Sequence, residues 1–168
     1  SYKIFVKLNP YHKVAPHFDM RVIEIYKKGG FPKLVIDANK EFVTNYGLKA
    51  EYWKHFDVNA YPDVLVYVKT NLKELANYYH ALYQDKQHEK NKRENFLEAR
   101  RWYGEFLESF PKDAEAPAIN YQLADLLLEA PSFADVGEHR HAAAHLSVRV
   151  EQRRRGQADL DVRAGFPP

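Results

Sequence analysis

The 168-residue chain contains no cysteine, which removes disulfides, thiolate metal sites and cysteine nucleophiles and fits the cytosol and the bacterial periplasm equally. No apolar run approaches the roughly 18 residues that a membrane-spanning helix requires. Charge of one sign is also lacking: 25 basic and 23 acidic side chains leave a formal +2. The two signs are interspersed, so no field marks the chain for nucleic acid or an anionic membrane. The G-x-S-x-G, P-loop and dinucleotide patterns are absent. The chain opens at Ser1 inside what reads as a helix end, with no initiator Met and no signal peptide, so a fragment is the expectation.

Aromatic residues, by contrast, make up 14% of the chain and supply ample filling for one domain's core. They fall at helical spacing. In Asn95 to Pro111, the residues Ala99, Tyr103 and Phe106 share one helix face that Pro111 terminates. A helix of this length is marginal alone in water, so its face calls for neighbouring helices. The spacing recurs as Tyr2, Phe5 and Pro10, and in degraded form as Asn39, Phe42 and Gly47. Most tellingly, Phe5, Pro10 and Ala15-Pro16 are repeated with identical separations by Phe106, Pro111 and Ala116-Pro117. Two helix ends, two turns and two helix starts are therefore expected to share one geometry.

Between these landmarks the punctuation predicts further helices. Ala15-Pro16 opens one that runs to about Lys28, with Phe18, Val22, Ile25 and Tyr26 inward, because Pro suits a first turn. Gly29-Gly30 ends it, and Phe31-Pro32 starts the next, to about Tyr46, with Leu34, Val35, Ala38 and Phe42 inward and Gly47 as its stop. Residues 48–62 lose periodicity while crowding Tyr52, Trp53, Phe56 and Tyr61; the plainer explanation is a connector packing rings over a helix end, the other a patch for a partner. Pro62-Asp63 opens a helix to about Gln84 lined by Leu65, Val68, Leu72, Leu75, Ala76 and Tyr79. Asp85 to Arg93 reads as a polar loop, after which Asn95 and Glu98 stand where a capping box would start a helix. Ile119, Leu123, Ala124 and Leu127 make the last inward face.

These residues resemble the tetratricopeptide repeat family, a roughly 34-residue helix-turn-helix unit. Leu72, Leu75, Ala76 and Tyr79 look like its first-helix positions, and Ala99, Tyr103, Phe106 and Pro111 like its second. Asn120, Leu123, Ala124 and Leu127 look like another first helix, and Tyr26 with Gly30 like an earlier one. Ala76 and Ala99 are small where two helices would cross closely, with Tyr79 and Tyr103 beside them. The unit departs from the family in lacking its Trp and Gly and in carrying the extra polar loop. The resemblance implies an all-α fold, an α-solenoid of antiparallel helical hairpins over residues 1–129 followed by an irregular C-terminal tail. It also implies a non-catalytic scaffold that holds a protein or peptide in its concave groove and needs no cofactor. The units are similar to those of bacterial envelope proteins, which favours a periplasmic or outer-membrane-associated setting. With both ends incomplete, self-association through exposed helix faces is expected.

In the family members that clamp a terminal carboxylate, a Lys and an Asn lie one turn apart on the groove; Lys73 and Asn77 resemble that pair, with His80 and Gln122 as neighbouring groove positions. On the following helix Gln122 and Asp125 stand in place of the family's expected partners, and Asp125 would repel an anion. A different chemistry is offered by His139, His141 and His145, of which the last two would share a helix face as metal ligands can. No acidic residue follows at a zinc hydrolase's spacing, so an incidental cluster is the plainer explanation and a metal-binding or hydrolytic role the alternative. Arg153-Arg154-Arg155 lacks the interleaved aromatics of a nucleic-acid site. Glu105 and Glu108 are expected on a solvated face. The tail, residues 130–168, is compositionally foreign: every lysine lies at or before Lys112, whereas Arg140, Arg149 and Arg163 join the triple arginine beyond it. A shifted reading frame or a disordered extension would each produce that change.

Overall fold

A computed structural model describes residues 2–129 of the chain; Ser1, the tail and its His139, His141 and His145 lie outside the described residues. Six α-helices account for most of them: α1 (Tyr2–Leu8), α2 (Ala15–Lys28), α3 (Pro32–Tyr46), α4 (Pro62–Gln84), α5 (Lys92–Ser109) and α6 (Ala116–Glu129). No strand occurs among the described residues. Pro16, Pro32 and Pro62 sit in the first turns of α2, α3 and α4, where the missing N–H would have had no intrahelical acceptor.

Each helix packs against the next in sequence, and α4 with α5 forms the most extensive interface. Contacts also skip one helix. Between α2 and α4, His17 meets Asp63 at 2.8 Å and Lys27 meets Glu74 at 2.9 Å. Both contacts ascend together, so these two helices run in the same direction. The relation is repeated between α4 and the α6 region, where Lys73 meets Glu115 at 2.6 Å and Tyr83 donates to the carbonyl of Glu129 at 2.9 Å. On the other row, Lys3 reaches Glu41 from α1 to α3 and Lys40 reaches Glu98 from α3 to α5. Partners in the α2, α4, α6 row stand 42 to 47 residues apart, longer than a 34-residue unit because of the segments that follow α3 and α4.

The two sequence-matched turns have the same hydrogen bonds. Asn9 N–H to Phe5, His12 to Asn9, Ala15 to His12 and Phe18 to Val14 are repeated 101 residues later by Phe110 to Phe106, Asp113 to Phe110, Ala116 to Asp113 and Ile119 to Glu115. Even the side-chain cap recurs: Val14 N–H donates to the His12 ring and Glu115 N–H to Asp113 Oδ1. Local sequence therefore dictates this turn twice.

The core runs through Phe42, Leu72, Leu75, Ala76, Phe96, Ala99, Trp102, Tyr103 and Phe106, all essentially inaccessible to water. Ala76 and Ala99 are fully buried on α4 and α5, the pair of helices with the most extensive interface. Leu123 is half-buried and Ala124 buried in α6, and Pro111 follows α5 in the turn. Glycine is required at two places. Gly30 has φ of +70° and closes α2 with Gly30 N–H on Lys27 and Phe31 N–H on Tyr26, the pairing of a Schellman end. Gly47 has ordinary φ, but a Cβ there would lie 2.7 Å from the Val43 carbonyl oxygen.

Several expectations are corrected. Ile25 and Leu34 are exposed, and Ile23 and Val43 take the core positions instead; apolar spacing locates a stripe but not the edge a neighbour covers. Asn95 does not cap α5. The helix begins at Lys92, after a 3-10 segment over Lys86–Asn91 that replaces the polar loop and is capped by Asp85, which accepts from Gln87 N–H. Asn95 is buried within α5, while Glu98 accepts from the Trp102 indole and pairs with Lys40. Glu105 is half-buried rather than solvated, and burial raises its carboxyl pKa. The aromatic segment after α3 is a connector: Tyr52 is buried with Phe56 stacked on it at 4.7 Å, and the Trp53 indole donates to the Tyr46 carbonyl at the end of α3.

Candidate functional site

Helix α4 is long enough to meet α2, α5 and α6 at once, and its polar residues are divided among them. Lys73, half-buried, pairs with Glu115, and one turn earlier Lys69 pairs with Asp113 at 2.9 Å. Asn77 Oδ1 accepts the Tyr103 hydroxyl at 3.0 Å. Of the expected carboxylate pair, Lys73 is thus already engaged, so an incoming anion would displace Glu115 from it, whereas Tyr103 uses only the Asn77 oxygen and leaves the amide N–H groups to donate.

His80 extends this network. Its Nδ1 lies 3.0 Å from the Tyr103 oxygen and its Nε2 lies 3.3 Å from Gln84 Nε2, which in turn reaches the Glu129 carboxylate at 3.1 Å. Because Tyr103 gives its proton to Asn77, its oxygen accepts from His80 Nδ1–H, and Nε2 is left to accept from Gln84. Only a neutral imidazole satisfies both ends, and burial lowers the His80 pKa against the opposing pull of Glu129 and Asp125. Burial likewise pushes the Tyr103 hydroxyl up to about 12. Gln122, on α6, is half-buried. The structure joins Asn77 and His80 through Tyr103 and leaves Lys73 in a separate ion pair. Exposed Tyr78 and Val66 stand on the same helix.

A second place was not anticipated. Helices α1, α2 and α3, with the 3-10 turn at Glu51–Lys54, enclose a cleft of about 650 Å³. Asp19 of α2 lines it while only 7% exposed, and its Oδ2 accepts the Tyr46 hydroxyl at 3.1 Å. Burial, which strips the carboxylate of hydration, raises the Asp19 pKa to about 6 despite the Tyr46 hydrogen bond and the Lys3 charge; Glu41 adds to the rise. Tyr46 is raised by the same burial and by the Asp19 charge. One signal was present in the sequence: Asp19 falls between Ala15 and Val22–Ile23 on a buried stripe, an acid at a core position.

No group of three metal-binding side chains is found among the described residues, and no helix among them is long and apolar enough to cross a membrane. The chain matches no family model, curated protein or solved structure. Its reading therefore rests on the geometry above.

Proposed function

We propose that the chain is a non-catalytic binding scaffold, an α-solenoid of helical hairpins similar to tetratricopeptide repeats, which holds a protein or peptide along the row formed by α2, α4 and α6. The observation that carries this reading is the co-directional ladder of side-chain contacts from α2 to α4 to α6, spaced 42 to 47 residues apart. Stacked hairpins leave such a row as one continuous surface, which suits an extended partner. Its polar groups include Tyr78, His80 and Gln122. Lysines Lys27, Lys40, Lys69 and Lys73 are each paired with a carboxylate, so they form no basic stripe of the kind that nucleic acid would need.

The reading is tested by placing a photo-cross-linking residue at Tyr78 or Gln122, with Leu97 on the outer side of α5 as control. Discrete adducts from the first two positions and none from Leu97 are expected. Adducts equally distributed over all three, or confined to Leu97, would overturn the assignment of the binding row.

A further inference from the structure

We infer that the cleft between α1, α2 and α3 receives the cationic side chain of a peptide, a guanidinium or primary ammonium, with the Asp19 carboxylate as its acceptor. Asp19 is more than nine-tenths buried, and the Tyr46 hydroxyl occupies only one of its oxygens. Among the described residues nothing donates to Oδ1. Oδ1 borders the cleft rather than a sealed core, and a cationic donor is the group that would supply it with charge and a hydrogen bond together.

The rest of the cleft fits that head group. Tyr11, half-exposed on the cleft wall, contributes aromatic surface, against which a guanidinium can lie. The charges around it are divided. Lys3 from α1 is held by Glu41 from α3 at 3.0 Å, and Glu51 is held by Lys54 at 2.7 Å, so neither lysine reaches Asp19 as its own counter-ion. Lys7, also on the cleft wall, has no ion-pair partner among the described residues.

Binding and ionisation are linked. A bound cation favours the charged carboxylate, so it must draw the Asp19 pKa down from about 6. Conversely, affinity falls as the pH drops through that value.

The inference rests on the scaffold reading only for the peptide that supplies the cation; the test addresses the cleft alone. Nα-acetyl-arginine amide is titrated into the whole chain, with the citrulline analogue as a neutral isostere, while the Asp19 carboxyl carbon is followed by NMR. Saturable binding of the arginine compound is expected at neutral pH, with the Asp19 pKa lowered at saturation. One pH unit below that pKa the affinity drops about tenfold, and the citrulline compound binds at least about tenfold more weakly. Asp19→Asn keeps an acceptor for Tyr46 and so keeps the fold, yet abolishes the preference for arginine. No saturation, equal binding of citrulline, or an unchanged preference in Asp19→Asn would each overturn the inference. Such a failure leaves the Tyr78 and Gln122 cross-links standing, and their failure leaves arginine binding in the cleft standing.

Discussion

In the α2–α3 hairpin the hydroxyl of Tyr46 donates to Asp19, and in the α4–α5 hairpin the hydroxyl of Tyr103 donates to Asn77 and accepts from His80. Each hairpin thus buries a tyrosine of its second helix against an ionisable residue of its first. The shared cause is loss of hydration, which penalises whichever form is charged. The outcomes are opposite. For Asp19 the charged form is the anion, so its pKa rises; for His80 it is the cation, so its pKa falls. A similar packing of tyrosine against an ionisable side chain therefore gives the two halves opposed responses to acid.

The largest effect should come from the apolar part that both hairpins share. Phe106, inaccessible in α5, is predicted to cost about 3–5 kcal/mol when replaced by Ala, and Phe42→Ala in α3 should cost about as much. A denaturation midpoint unmoved in either variant would show that this hairpin is not part of the common core.

The ionisable pair comes next. At about 1.4 kcal/mol per pKa unit, ionised Asp19 opposes folding by up to about 3 kcal/mol. The folded state binds this proton more tightly than the unfolded chain does, so Asp19 favours folding increasingly as pH falls from above 6 toward the ordinary aspartate value of 3.8. Asp19→Asn should therefore be more stable than the parent at neutral pH and lose that advantage in acid. His80 has the reverse sign. Its proton is bound more tightly by the unfolded chain, so its contribution is present above the ordinary histidine value of 6.5 and declines as pH falls below it. Melting curves across this range should show His80→Gln flattening the acid loss. Equal pH slopes in Asp19→Asn and His80→Gln would break the comparison.

Smaller effects sharpen it. Gly30→Ala at φ of +70° should cost about 1 kcal/mol, felt at the three-residue α2–α3 turn that the longer α4–α5 link avoids. Lys73→Met, which removes a half-exposed ion pair with Glu115, should change stability by less than about 1 kcal/mol. A larger loss in a chemical-denaturation series would mean that the pair sets how α6 docks.

Much of the helical layout could be read directly. Pro16, Pro32, Pro62 and Gly47 mark boundaries that the structure keeps, and the Phe5 and Phe106 turns share four backbone hydrogen bonds. The failure at Asn95 is instructive. Asn95 and Glu98 have the spacing of a capping box, but a box is only as good as its competitors: Trp102 and Lys40 take Glu98, and Asp85 caps the 3-10 segment earlier. The Asp19–Tyr46 contact was hidden for another reason. It spans 27 residues, and no local pattern reports which tyrosine a buried acid will meet.

By itself the sequence determined where α2, α3 and α4 start and where α2 and α3 stop, because Pro and Gly act on backbone groups only a few residues away. Only the tertiary structure decided which edge of each apolar stripe is covered, that Lys73 and Asn77 already have partners, and which protonation state Asp19 and His80 prefer. Those properties depend on hydration lost to helices tens of residues distant, and a dielectric environment is made by packing rather than by neighbours along the chain.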